Sequence, residues 1–173
     1  DDLGRLDLDA IAAVREEAWP EVRSSDALHA ALMGIAFITG AEARATYGWP
    51  EWLAKLAAER RATRLTCCDL VGAADSGSGG LVWIPAERLP QFEALLPDTR
   101  HEPAITAPAE YAAVAWTREN ALVDVLRARL TALGPTRAST LAAALGLAPS
   151  DVDLALLALE RDGFIMRGRF STA

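Results

Sequence analysis

Apolar residues recur at helical spacing through most of the chain, and short breaks rich in Gly and Pro divide them into blocks. The clearest blocks lie between Thr117 and Phe170. Leu122, Val125, Leu126 and Leu133, with the stem of Arg129, line one face of a helix over 118–133. Thr117 is placed to cap its start, and Gly134-Pro135 to end it. A shorter helix is predicted over 138–145, stopped by Gly146. A third follows Pro149-Ser150, where Ser150 and Asp153 have the spacing of a capping box, and stops at Gly163. Phe164, Met166 and Phe170 then mark a strand, bent at Gly168. Three short helices, tight turns and a terminal strand are the plan of a helix-turn-helix with a wing.

The same plan is read earlier in the chain. A leading helix over 8–19 carries Ile11, Val14, Ala18 and Trp19 on the 3.6 period and ends at Pro20. From Ser25 or Asp26 a helix is predicted to about Ile38, with Leu28, Leu32 and Ile35 inward and Gly40 as its break. A short helix over 41–46 follows, then a turn at Gly48-Trp49-Pro50. A third helix, from Pro50 to about Arg61, has Leu53, Leu56 and Ala57 as its stripe. Strands over 64–71 and 81–84 enclose GAADSGSGG, the composition of a wing tip. Residues 86–95 read as one more helix. PDTRHEPAITAP has three prolines and no period, so it reads as a linker, and 110–116 as a strand beyond it. The predicted organisation is a leading helix and linker (1–23), a first winged-helix module (24–96), a linker (97–116) and a second module (117–173). The fold class is mainly α with small β wings.

Composition narrows the functions such a fold can serve. Apolar residues are 51% and charged residues 24%, a globular balance. The net charge of -7 argues against autonomous, tight binding to nucleic acid, which favours basic domains. Cys67 and Cys68 are adjacent and far from His29 and His101, so neither a disulfide framework nor a zinc site is read from them; two half-buried strand residues are the simpler reading. No apolar run reaches the ~18 residues of a membrane span and no signal peptide is present, so a cytoplasmic protein without membrane contact is expected. The chain opens DDLGRLD with no initiator methionine, as a piece of a longer protein would.

Candidate contacts with DNA phosphates come from cations near the two wings. Lys55, Arg60, Arg61 and Arg64 straddle a helix end and a strand start, with Glu59 the one acid among them. Glu51, four residues before Lys55, offers a helical ion pair as the plainer role for that lysine. Arg167 and Arg169 share a strand face in the second wing, and Arg137 sits at a turn. The third helix of the second module argues against groove reading. Val152, Ala155, Leu156 and Leu159 take its core face, leaving Leu154 and Leu157 among carboxylates on the other, where protein packing is the expectation. Trp19, Trp49, Trp52, Trp83 and Trp116 could stack on unpaired bases, but burial as core anchors is the expectation for each. No phosphate loop, acidic ATPase run or catalytic triad spacing is found, and no cofactor is implied for this stretch.

Taken in order, REEAWPEVR (15–23), DALHAAL (26–32), LVWIPAERLP (81–90), ENALVDVLRARLTALGP (119–135) and LERDGFIMRGRF (159–170) resemble the large helicase-related (Lhr) proteins, superfamily 2 DNA helicases implicated in DNA repair. The similarity is to the winged-helix array beyond the ATPase core. Where that family carries Val-Thr after the Gly-Pro turn, this chain has Thr136-Arg137. The resemblance implies a non-catalytic accessory region whose partners are the rest of a parent helicase chain and single-stranded or forked DNA. Two alternatives stay open: a structural or homo-oligomerising module without DNA contact, and part of a glycosylase-like base-excision region.

Overall fold

The computed structural model describes residues 16–66, 81–134 and 136–165. Residues 16–18 are helical and Trp19 is a bend; the part of the expected leading helix over 8–15 lies outside the described residues. There follow α1 (Ser25–Ile35), β1 (Ile38–Thr39), α2 (Gly40–Ala45), α3 (Trp49–Ala58), β2 (Ala62–Thr66), β3 (Leu81–Pro85), a 3-10 turn (Ala86–Arg88) and α4 (Leu89–Leu95). The chain continues through β4 (Arg100–Glu102), a helical turn α5 (Ala109–Ala112), α6 (Arg118–Leu133), α7 (Ala138–Leu145) and α8 (Pro149–Arg161). The protein is mainly helical, with one small antiparallel sheet in the order β1-β3-β2-β4. Among the described residues, no helix is long and apolar enough to cross a membrane.

The sheet is apolar on both faces, and that explains the architecture. Strand alternation puts Leu65, Val82 and Ile84 on one face and Ile38, Ala62 and Trp83 on the other. The second face packs with Leu28, Leu32, Leu53 and Leu56 of α1 and α3. The first belongs to a larger cluster that runs through Phe92 of α4 and Val125 of α6 to Leu145 and Leu159 of α7 and α8. Without α4 and α6 that face would meet water. Burying it ties the two halves of the chain into one core.

Several boundaries differ from the pattern reading, each for a local reason. α1 ends at Ile35 because Ala36 turns to φ 77, its amide donating back to Leu32. Ile38 is then free to pair with Trp83. Gly40, expected to break a helix, begins one: Thr39 and Glu42 form a reciprocal capping box around it. α3 stops at Ala58, where Arg60 adopts φ 58 and the Arg61 amide donates to Leu56 O at 2.8 Å. This is a Schellman end with arginine in the position glycine usually holds. α8 has Ala148 at its N-cap and Pro149 in its first turn, so Ser150 lies inside the helix and the expected Ser150/Asp153 capping box does not form.

The stretch expected to be a linker is woven into the sheet. Residues 100–102 pair with β2, and the Thr63 hydroxyl donates to Pro103 O at 2.7 Å. Ile105 is buried in the larger cluster. Residues 110–116 are no strand; a helical turn ends at Ala112 and irregular chain leads to the Thr117 cap of α6. Periodicity over three residues is too short to register in sequence, so β4 could be found only through its partner.

Candidate nucleic-acid interface

Four of the singled-out cations gather at the corner where α3 passes into β2, and each has a protein partner. Lys55 Nζ lies 3.9 Å from Glu59, not on Glu51 as helical spacing suggested. Arg60, in its left-handed conformation, donates through Nη1 to Ala104 O at 2.9 Å. Arg61 donates to Asp26 at 2.5 Å and to Glu59 at 3.3 Å. Arg64 faces Glu102 at 3.6 Å, its guanidinium 5.6 Å from the centre of the Trp83 ring. The strand register dictates that last trio, because Arg64 is directly opposite both Trp83 and Glu102.

Four cations against the three carboxylates Asp26, Glu59 and Glu102 leave this corner only weakly positive. The Arg61 hydrogen bond holds the Asp26 carboxyl below its usual range, and Asp26 in turn raises Arg61. Phosphate would therefore have to take these arginines from carboxylates that are themselves in water, an exchange of comparable partners.

The remaining candidates lie elsewhere. Arg137 stands exposed at the N-cap of α7, on the other half of the molecule, and is already engaged by a neighbour. Arg167 and Arg169, like Cys67, Cys68 and the Gly/Ser-rich tip, are outside the described residues. On α8, Val152, Ala155, Leu156 and Leu159 are buried, while Leu154 and Leu157 are 67% and 54% exposed. Trp49 is fully buried and Trp19 stacks on it at 5.0 Å. Trp19, Trp52 and Trp83 are half-buried against the α1–α3 cluster and Trp116 against the larger one. Their aromatic surface is spent largely on packing.

Pattern reading missed the polar links between the two halves. Arg129 of α6 reaches across to α2, where Nη2 lies 2.8 and 2.6 Å from the two Glu42 oxygens. Its Nη1 donates to Phe37 O at 2.5 Å, and its guanidinium lies 4.6 Å from the centre of the Phe37 ring. Glu42 Oε1 also accepts from the Thr39 amide. One carboxylate thus caps a helix and anchors the second half, and with Arg129 it lines a cleft of about 410 Å³. A second link joins Arg88 to Met33 O at 2.8 Å and to Asp124 at 3.3 Å, with Gln91 also donating to Asp124 at 2.6 Å. Burial pushes Arg88 down from its ordinary value, and Asp124 opposes that. The Thr39-x-x-Glu42 spacing was the one available signal, masked by Gly40 between them.

Among the described residues, no group of three or more His, Cys, Asp or Glu could hold a metal. No protein-family model matches the sequence, and comparison with curated proteins gives no match.

Proposed function

We propose that this chain is a non-catalytic accessory region of an Lhr-type ATP-dependent DNA helicase, built from tandem winged-helix modules that help to hold DNA and to assemble the larger protein. The observation that supports it most is topological. The first half runs helix, short strand, helix, helix, strand, strand, and its three strands lie in the antiparallel order β1-β3-β2. That order supports a winged-helix reading of the first half. The second half likewise runs three helices in succession. On this reading a phosphate backbone would run along the α3–β2 corner.

The test is fluorescence anisotropy with labelled single-stranded and forked DNA at low and at physiological salt. The paired charges predict weak binding that falls with salt and drops at least about fivefold when Arg60, Arg61 and Arg64 are replaced by alanine. No binding at low salt would defeat this reading. The exposed Leu154 and Leu157 favour a second one, a scaffold that packs against protein.

A further inference from the structure

A second cleft lies away from the basic corner, where the end of the leading helix meets the turn between α2 and α3. It is a broad, open depression of about 650 Å³, lined in part by Trp19, Tyr47 and Trp49. Tyr47 is 98% exposed, an unusual state for an aromatic ring on a folded surface. Its position is fixed by the turn. Gly48 adopts φ 81, and a Cβ there would come within 3.1 Å of the Trp52 ring. The Trp49 amide closes the turn onto Thr46 O at 3.3 Å. Trp19 stacks on buried Trp49, which leaves it fixed as a wall of the cleft.

The charge around these rings is acidic. Glu16 and Glu21 line the cleft, are exposed, and have no ion-pair partner among the described residues. Among the described residues Arg23 is the one cation lining it, so two carboxylates stand against one guanidinium there. A phosphate would gain Arg23 here but meet the two carboxylates. A cation would meet aromatic rings and carboxylates together, the combination that binds guanidinium and ammonium groups. The chain's net charge of -7 draws partners of the same positive sign.

We infer that the Trp19/Tyr47 cleft, with Glu16 and Glu21 at its rim, is a docking site for an arginine side chain on a basic segment of a partner protein. This assignment is independent of the DNA reading, since it uses neither the α3–β2 cations nor a nucleic acid. Tyr47 and Trp19 hold the flat guanidinium, and the carboxylates accept its N–H groups. Serving such a partner at one end and DNA at another would let the region assemble a complex without the two ligands competing.

The experiment uses the whole 173-residue chain and three labelled probes in anisotropy titrations. These are a short peptide alternating arginine and serine, its citrulline counterpart of equal shape without charge, and single-stranded oligothymidylate. The arginine peptide should bind and the citrulline peptide should not. Tyr47→Ala should weaken the arginine peptide by about five- to thirtyfold, the range of a cation–π contact. Because Tyr47 touches little of the core, circular dichroism of that variant should match the parent. Glu16→Gln with Glu21→Gln should weaken the peptide and flatten its salt dependence. Equal affinity for the arginine and citrulline peptides, no binding at low salt, or no change in Tyr47→Ala would each overturn the assignment. So would a Tyr47→Ala variant that loses oligothymidylate and keeps the peptide, which would make the cleft a nucleobase site.

Discussion

Two regions of this protein hold arginines against carboxylates, and they use them differently. At the seam between the halves, Arg129 is 11% exposed and Glu42 28%; one guanidinium nitrogen meets both carboxylate oxygens, backed by a carbonyl and a ring. At the α3–β2 corner, Arg61 and Arg64 pair with carboxylates that project into solvent. This pair is largely withdrawn from water: either group left alone would be a poorly solvated charge, with only the Phe37 carbonyl or the Thr39 amide beside it. The wet pairs can trade their carboxylates for another anion at little cost. The seam arginine is therefore structural, and the corner arginines are the ones suited to binding.

The strongest challenge to that contrast is a double-mutant cycle at the seam. Arg129→Met keeps the apolar stem and strands Glu42; Glu42→Gln strands Arg129 and weakens the α2 capping box. Each single change should cost about 3 kcal/mol in urea denaturation. The double variant should cost little more than either alone, because no orphan charge remains. Additive losses would show that the two side chains act separately, and the distinction drawn between seam and corner would fail.

How much of this was legible in sequence follows from the range of each interaction. α6, α7 and α8 are set by local rules, namely the Thr117 cap, the Gly146 turn and the 3.6 period, and the pattern reading places them closely. The core face of α8 is likewise carried by the spacing of Val152, Ala155, Leu156 and Leu159. β4 and the seam depend on partners far along the chain: Arg129 and Glu42 are 87 positions apart. Periodicity could put the stem of Arg129 on a buried stripe but could not say where its head group would go. The basic corner was visible as a charge cluster, whereas its neutralisation by Asp26 and Glu102 was not, since each acid arrives from another element. The acidic aromatic cleft escaped notice for the same reason. Trp19 and Tyr47 belong to different segments, and only folding brings Glu16 and Glu21 beside Tyr47.

A smaller effect is expected at the turn that presents Tyr47. Gly48→Ala places a Cβ at φ 81 and 3.1 Å from the Trp52 ring, so it should destabilise by about 1–2 kcal/mol. The loss belongs to the first half alone. It should therefore largely add to that of Arg129→Met, because the turn meets the seam through backbone, the Thr46 hydroxyl donating to Glu42 O at 2.9 Å, and not through the paired side chains. Tryptophan emission should shift as well, since Trp52 and the Trp19–Trp49 stack adjoin the turn. A neutral Gly48→Ala would mean that the turn is pliant and that the exposure of Tyr47 is not imposed by it.

The smallest effect lies at the wet corner, and pH isolates it. Asp26 titrates below its ordinary 3.8 because Arg61 donates to it and stays charged throughout. A carboxyl with a depressed folded-state value binds its proton less readily than in the unfolded chain. The stability it contributes is thus fully present above that ordinary value and is lost as pH falls through the folded one. Asp26→Asn should be slightly less stable than the parent at neutral pH, and the two curves should converge below the usual carboxylate range. Added salt should shrink the gap at neutral pH, since the pair faces water. A gap that persists in acid would trace the loss to the start of α1 rather than to the ion pair. A gap as large as that of the Arg129 variant would mean that the corner is braced as firmly as the seam, and its arginines would then be poor candidates for exchanging a carboxylate for a phosphate.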